Sequence, residues 1–248
     1  MNFKKYAKYY NAFNSSKLYK EEVLFILSKL KKYPKVKYQN LLDIGCGTGL
    51  HTSVFSDYFE EIIAIDLSND MLESAIKRKN ISYKMMNLLN LKLNNNFSVI
   101  TSLFHVLSYQ IDNFKVNDFF ANISSHLLDE GFLIFDFWFS PAVNNIGPSV
   151  KVRRYEDNEN YMLRLAEPEI DVSSNVVDVN FEFIIKNKTT NKTDLIKEQH
   201  KMRHFSIPEI EFFLKKNGFV SLEYFELISD REPSLDTWSI MCLAQKIS

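Results

Sequence analysis

"LLDIGCGTGLHTS", residues 41–53, decides how this chain is read. An apolar run ends in Asp43, and glycine then recurs at every second position: Gly45, Gly47 and Gly49. The whole chain has six glycines, and three of them fall here. Between a buried strand and a helix, such a turn lets backbone approach a ligand and aims helix N–H groups at it. Three ligand classes use a turn of this kind. A phosphate-cradling loop needs G-x-x-x-x-G-K-[ST], and no such lysine is present. A dinucleotide turn needs G-x-G-x-x-G, whereas Leu50 holds the sixth position here. The third is a nucleoside without phosphates: one acid beside the turn holds a positive group and a second takes the ribose hydroxyls. Asp43 ends one strand, and Asp66 ends the next, 17 residues beyond Gly49. A carboxylate at Asp66 accepts two hydrogen bonds from a ribose diol. Either acid alone reads equally well as a strand-end cap. The constellation favours the nucleoside.

Outward from this turn, strands and helices alternate. Val23, Phe25, Ile26, Leu27 and Leu30 lie at helical spacing in residues 18–31, and Pro34 stops that helix. Strands are predicted at 40–44, 61–66, 81–86, 97–104 and 131–138, with helices over 48–59, 68–79 and 115–128. From about 141 to 205 no helical period is present. In "VVDVNFEFI", Val177, Val179, Phe181 and Phe183 share one face, and Asp178, Asn180 and Glu182 the other. That alternation indicates an antiparallel sheet with one wet face. "NKTTNKT" is a turn within it. A helix capped by Ser206 and stopped by Gly218 follows, then strands at 219–228 and 237–246. The fold class is therefore α/β: a Rossmann-like, seven-stranded, mostly parallel sheet with helices on both faces, plus an inserted antiparallel β lobe.

Composition excludes several functions. Net charge is −1 over 248 residues, which gives no electrostatic grip on nucleic acid. The lysines of "KLKKYPKVK" (29–37) read as a solvated helix end. No run approaches the ~20 apolar residues of a membrane span, and MNFKKYAKYY is not a signal peptide. The expected location is the cytoplasm, where Cys46 and Cys242 stay reduced. Without a secretory signal, the N-x-T triplets at Asn187 and Asn191 are turn residues. The cysteines lack metal-ligand spacing, and no metal is expected.

D-I-G-C-G-T-G, followed by I-A-I-D-L-S and M-L, resembles the binding motif of class I S-adenosylmethionine-dependent methyltransferases. The resemblance implies that Gly45, Gly47 and Gly49 line the methionine part of the cofactor, with Asp43 near its amino group. Asp66 would hold the ribose, and Leu67 and Met71 would flank the adenine. Asn87 stands where the family often has an aspartate for the adenine amine. Tyr19 and Leu103 complete the expected cofactor set. Residues 1–140 and 206–248 would form the S-adenosylmethionine-binding domain, with S-adenosylhomocysteine as product. Residues 141–205 would form the lobe, as a lid over the acceptor or a surface for a homodimer.

A narrower resemblance rests on "YYNAFNSSKLYKEE" (9–22), "LFHVLSYQ" (103–110), "FDFW" with "SPAV" (135–143), "LAEPEIDVSSNVVDVNF" (165–181) and "EQHKMRHF" (198–205). These segments are similar to methyltransferases of nucleotide-linked sugars, some of which dimethylate a sugar amine. Asn11 and Asn14 depart from that group's Asp and aromatic. Methyl transfer needs a nucleophile about 3 Å from the sulfonium carbon and in line with the sulfur, in a dry site. A protonated amine or a hydroxyl also needs a proton acceptor. Tyr10, Tyr109 and His105 are the candidates to orient or deprotonate the acceptor, His105 being the better base by type. Lys17, Trp138, Arg154 and Arg203 are candidate acceptor contacts, the arginines for a diphosphate. His200 and His204 share a strand face but are too isolated to be a metal pair.

The expected function is methyl transfer to an N or O atom of a small nucleotide-activated sugar in bacterial surface-polysaccharide synthesis. The alternatives are another nucleotide-linked capsule precursor, such as a phosphoramidate, and a non-catalytic adenosylmethionine-binding protein. A nucleic-acid methyltransferase would want a basic face and an Asn/Asp-Pro-Pro-aromatic tetrapeptide where this chain has LFHV.

Overall fold

The structure is a computed structural model that describes residues 7–14, 17–33 and 39–247; the stop assigned to Pro34 lies outside them. Seven strands follow the order β3-β2-β1-β4-β5-β11-β10. They are β1 Asn40–Ile44, β2 Glu61–Asp66, β3 Ile81–Met85, β4 Phe97–Ser102, β5 Leu127–Phe139, β10 Phe219–Phe225 and β11 Ser239–Lys246. The first five run parallel, and β11 is antiparallel to both β5 and β10. Leu41, Leu42 and Ile44 of β1 are fully buried, because the sheet is covered on both faces. One core cluster contains Phe119, Phe120, Phe135 and Phe213. A second contains Val23, Ile26, Phe55 and Phe132. The expected fold class is the observed one.

The helices are α1 Ala7–Phe13, α2 Tyr19–Leu30, α3 Leu50–Phe55, α4 Asn69–Glu73, α5 Asn113–His126, α6 Ser140–Ile146 and α7 Ile207–Lys216. Three expectations need correction. Helices α3 and α4 are shorter than the sequence pattern indicates. After α4 the chain leaves the helix so that Ile76 N–H donates to the Thr48 carbonyl of the glycine turn (3.2 Å). A helix, α6, stands where none was expected; Pro141 sits in its first turn, and Ala142 and Val143 are fully buried. Two turns are too few to show a helical period. Lys29 is not solvated: its ammonium is buried against Glu223 (2.7 Å) and Asp230.

Between α6 and α7 lie β6 Lys151–Glu156, β7 Asn160–Asp171, β8 Val176–Asn187 and β9 Thr193–Phe205, an antiparallel meander. The meander joins the main sheet through β9. Strand β4 accompanies β5 only as far as the pair Ser102↔Phe135. Past that point β9 takes the same edge, pairing His204 with Trp138 and Phe205 with Phe139. The meander's inner face carries Val177, Val179, Phe181 and Phe183, and Phe13 of α1 packs on it.

Candidate active site

The glycine turn connects β1 to α3 at the carboxyl edge of the sheet. Gly45, Gly47 and Gly49 all have positive φ (70°, 55° and 72°), a region costly for residues with a Cβ. Their surroundings differ. A Cβ at Gly45 would lie 2.4 Å from Val106, and one at Gly49 would lie 2.3 Å from the Tyr83 hydroxyl. A Cβ at Gly47 would meet nothing within 4 Å. Gly45 and Gly49 thus serve close packing, and Gly47 alone faces open space.

Asp66 buttresses the turn. Its Oδ2 accepts from Gly47 N–H (2.9 Å) and its Oδ1 from Ser68 N–H (2.8 Å). Burial pushes its carboxyl above the usual range, against these backbone donors. Each carboxylate oxygen keeps a second lone pair for a diol. Leu67 beside it is 66% exposed, an open apolar side chain just past the end of β2. Asp43 is 2% exposed, and both its oxygens are engaged: Thr101 Oγ1 donates at 2.9 Å and Thr52 Oγ1 at 2.5 Å. Burial raises its carboxyl too, opposed by those hydroxyls. Asp43 therefore ties β1 to α3 and β4 beneath the turn.

Other residues differ from expectation. Met71 is buried with Phe13, Phe183 and Ile185, because α4 turns that side chain under α1; it does not stand open for an adenine. Leu103 is buried in the core, so its side chain offers no open surface. The Asn87 amide oxygen already accepts from Leu89 N–H (2.9 Å). Tyr19 stacks edge-on against His51 (4.8 Å), within a group where Glu22 binds His51 and Lys17, each at 2.7 Å. Lys17 also stands 4.6 Å over the Phe104 ring. Tyr10 lies on α1 next to Asn11, whose amide oxygen accepts from Thr48 of the glycine turn (2.7 Å).

The segment after β4 forms the opposite wall. Phe104 and His105 both have positive φ (69° and 67°). Asp136 of β5 holds this strained corner: Oδ1 accepts from His105 N–H (2.8 Å) and Oδ2 lies 3.1 Å from His105 Nδ1. Burial pushes the Asp136 carboxyl up, but the interaction with His105 outweighs it and leaves the group below its ordinary value. Trp138 is half-buried, 5.5 Å from Trp238 and 6.0 Å from His105. Tyr109 Oη lies 2.7 Å from His200 Nδ1, and His200 Nε2 lies 2.9 Å from Glu198 Oε2. His204, fully buried, binds Ser140 Oγ at 2.8 Å instead.

The two arginines are not brought to this wall. Arg203 is buried, paired with Glu209 of α7 and with Asn113 Oδ1 (2.8 Å), so it locks β9 to α5 and α7. Arg154 is exposed and opposite Leu163, whereas its neighbour Tyr155 faces Met162 and Phe13 on the inner side. Period-two alternation therefore puts Arg154 on the outer face. Asp136, Thr52, Thr101 and Glu198 were missed from the sequence. The signal for Glu198 was its i, i+2 spacing to His200 on one strand. Among the described residues no cluster of three His, Cys, Asp or Glu is arranged to hold a metal, and no helix is long and apolar enough to cross a membrane.

Residues 41–131 match a family described as a methyltransferase domain. An S-adenosylmethionine-dependent methyltransferase from Clostridium acetobutylicum superposes with a TM-score of 0.84 over 98% of both chains, at 23% identity. An amino pentose methyltransferase from Micromonospora echinaspora, solved with S-adenosylmethionine bound, superposes at 0.76 over 99% of this chain and 98% of its own, at 17% identity. The dTDP-3-amino-3,4,6-trideoxy-α-D-glucopyranose N,N-dimethyltransferase of Streptomyces venezuelae is 29% identical over 103 residues, 41% of this chain and 44% of that one. Glycine turn, strand order and the family matched over residues 41–131 make this chain similar to the class I S-adenosylmethionine-dependent methyltransferases. Within the class it resembles the nucleotide-sugar and amino-sugar N-methyltransferases.

Proposed function

We propose that this enzyme transfers a methyl group to an N or O atom of a small nucleotide-activated sugar, with an amino sugar as first choice. The observation that carries this reading is that half-buried His105, Tyr109 and Trp138 lie at the ends of β4 and β5, in the segment whose Val106 packs on Gly45 of the glycine turn. Relatives that act on dTDP-amino sugars support the acceptor class. When bound, S-adenosylmethionine supplies an electrophilic methyl on a sulfonium. Gly47 offers the open approach for it, and Asp66 the acceptor pair for its ribose. Leu67 gives an apolar surface for its base. Asp136 holds His105, and Tyr109 lies alongside to orient the acceptor. The meander adjoins this side through His200 of β9 at Tyr109, and a site kept dry there would favour a reaction that discharges a cation.

The test is incubation with S-adenosylmethionine and a panel of dTDP-linked amino sugars and their hydroxyl counterparts, followed by mass spectrometry. A gain of one or two methyls on an amino sugar supports the reading. Transfer only to non-sugar amines, or to none of the panel despite S-adenosylmethionine binding, refutes it.

A further inference from the structure

Three side chains from distant parts of the chain form a line leading inward from the acceptor wall. Tyr109 is half-buried, in the 3-10 turn Leu107–Tyr109 after β4. His200 is buried on the inner face of β9, and Glu198 lies two residues earlier on the same face, its side chain 7% exposed. A carboxylate only accepts hydrogen bonds, so the His200 proton belongs on Nε2, toward Glu198 Oε2 (2.9 Å). The neutral ring then offers Nδ1 as an acceptor, and Tyr109 donates its O–H to it (2.7 Å). This polarity runs one way only: it makes the Tyr109 oxygen more electron-rich on its cleft side. Glu198 Oε1 is buried with no hydrogen-bond partner among the described residues. A carboxylate held that way interacts favourably with any positive charge that arrives on His200.

We propose that Tyr109, His200 and Glu198 form the proton-accepting relay of the methyl transfer, with His200 and Glu198 as positioning residues behind Tyr109. This rests on the acceptor reading above. The acceptor's N–H bond breaks and its proton passes to Tyr109 Oη as the Tyr109 O–H proton passes to His200 Nδ1. The nitrogen lone pair forms the new N–C bond, and the C–S electron pair remains on the departing thioether sulfur. The resulting imidazolium is paired with Glu198 and afterwards loses its proton to solvent. Besides Tyr109 and Glu198, an aromatic cluster borders His200. Phe181 of β8 lies edge-on at 5.1 Å, Arg164 of β7 stands 5.9 Å from that ring, and Tyr10 of α1 packs into the cluster that Phe181 joins. Arg164 disfavours a second positive charge nearby, and Glu198, 2.9 Å from His200 Nε2, offsets it.

The first measurement needs no acceptor: nitrogen-15 NMR of the histidine rings in the full-length protein, with His200 assigned by His200→Asn. The relay requires Nε2 protonated and Nδ1 unprotonated in the wild type, and a changed Nδ1 shift in Tyr109→Phe. A proton on Nδ1, or no response to Tyr109→Phe, overturns it. The second uses the dTDP-amino sugar that turns over. Glu198→Gln and His200→Asn should lower kcat about 10- to 100-fold with little change in KM, and flatten the acid limb of the pH profile. Substituted imidazoles should rescue His200→Ala in proportion to their basicity. An unchanged pH profile, or rescue blind to basicity, assigns the three a purely structural role. If no panel member turns over while the NMR pattern holds, the acceptor class is wrong and the hydrogen-bond polarity stands.

Discussion

The sharpest consequence of the glycine turn is that two substitutions two residues apart should fail in different ways. Gly45→Ala and Gly47→Ala both place a Cβ at positive φ (70° and 55°), which costs roughly 1–2 kcal/mol each. At Gly45 the new methyl also lies 2.4 Å from Val106 Cγ2, an overlap that adds about 1–3 kcal/mol as overpacking. At Gly47 nothing lies within 4 Å, so only the backbone cost remains. For a chain this size 1 kcal/mol is about 2 °C in Tm. Gly47→Ala should thus melt about 2–4 °C below wild type, and Gly45→Ala about 4–10 °C below. Affinity should run the other way. The Gly47 methyl fills the approach proposed for the cofactor, so S-adenosylmethionine binding should weaken at least about tenfold, or 1.4 kcal/mol. The assays are thermal unfolding without ligand and calorimetric titration with S-adenosylmethionine. Wild-type affinity in Gly47→Ala, with the modest Tm loss observed, would refute the assignment of that open space to the cofactor.

Three further outcomes follow from the charges. Asp43 is raised by burial, so the fold favours its protonated form: the stability this gives is full below the unfolded carboxylate value and is lost as pH rises through the raised one. Urea midpoints of wild type should therefore fall relative to Asp43→Asn between acid and neutral pH; parallel curves would exclude this. Asp136 has the opposite sign. Its net lowered carboxyl contributes stability above the ordinary range that is lost as pH falls, and the loss should be absent in Asp136→Asn, measured in the same way. Arg203→Met leaves Glu209 half-enclosed without its partner and should cost about 2–4 kcal/mol in urea unfolding. The acceptor KM should not change in that variant; a selective KM rise would restore Arg203 to the acceptor.

Strands β1, β2, β4 and β11 and the carboxyl half of β5 were legible because they are buried along most of their length, as in EIIAID and GFLIFDFW, whereas β3 and β10 are only part-buried. The place of Asp66 was legible for a similar reason: its position at the end of β2 is fixed by strand order, not by side-chain packing. What failed depended on tertiary partners. Arg203 sits in an alternating strand, where a charge reads as wet; only the approach of α7, bringing Glu209, encloses it. Resemblance alone places Met71 beside the adenine, and its burial with Phe13 of α1 has no local sequence signal. The face on which Arg154 stands cannot be read from composition; the register Tyr155↔Met162 decides it. His200 meets Tyr109 across 91 residues of sequence, a contact no local pattern encodes.

The way the meander is attached explains why that contact lies at the wall proposed for the acceptor. Strand β4 stops at Ser102 while β5 continues for four residues beyond their last pair, leaving one edge of β5 unpaired at the carboxyl end of the sheet. An unpaired edge there would expose N–H and C=O groups beside the cleft. Strand β9 fills it at Trp138 and Phe139. The chain leaving β4 therefore cannot run straight on. It turns through positive φ at Phe104 and His105, at roughly 1–2 kcal/mol each, pinned by Asp136 from the very strand whose edge β9 has taken. Val106 then packs on Gly45, and the next turn presents Tyr109 to His200 of β9. One pairing choice thus sets the glycine turn, the strained corner and the meander's histidine against each other. A change that loosens the β5–β9 junction should disturb all three together.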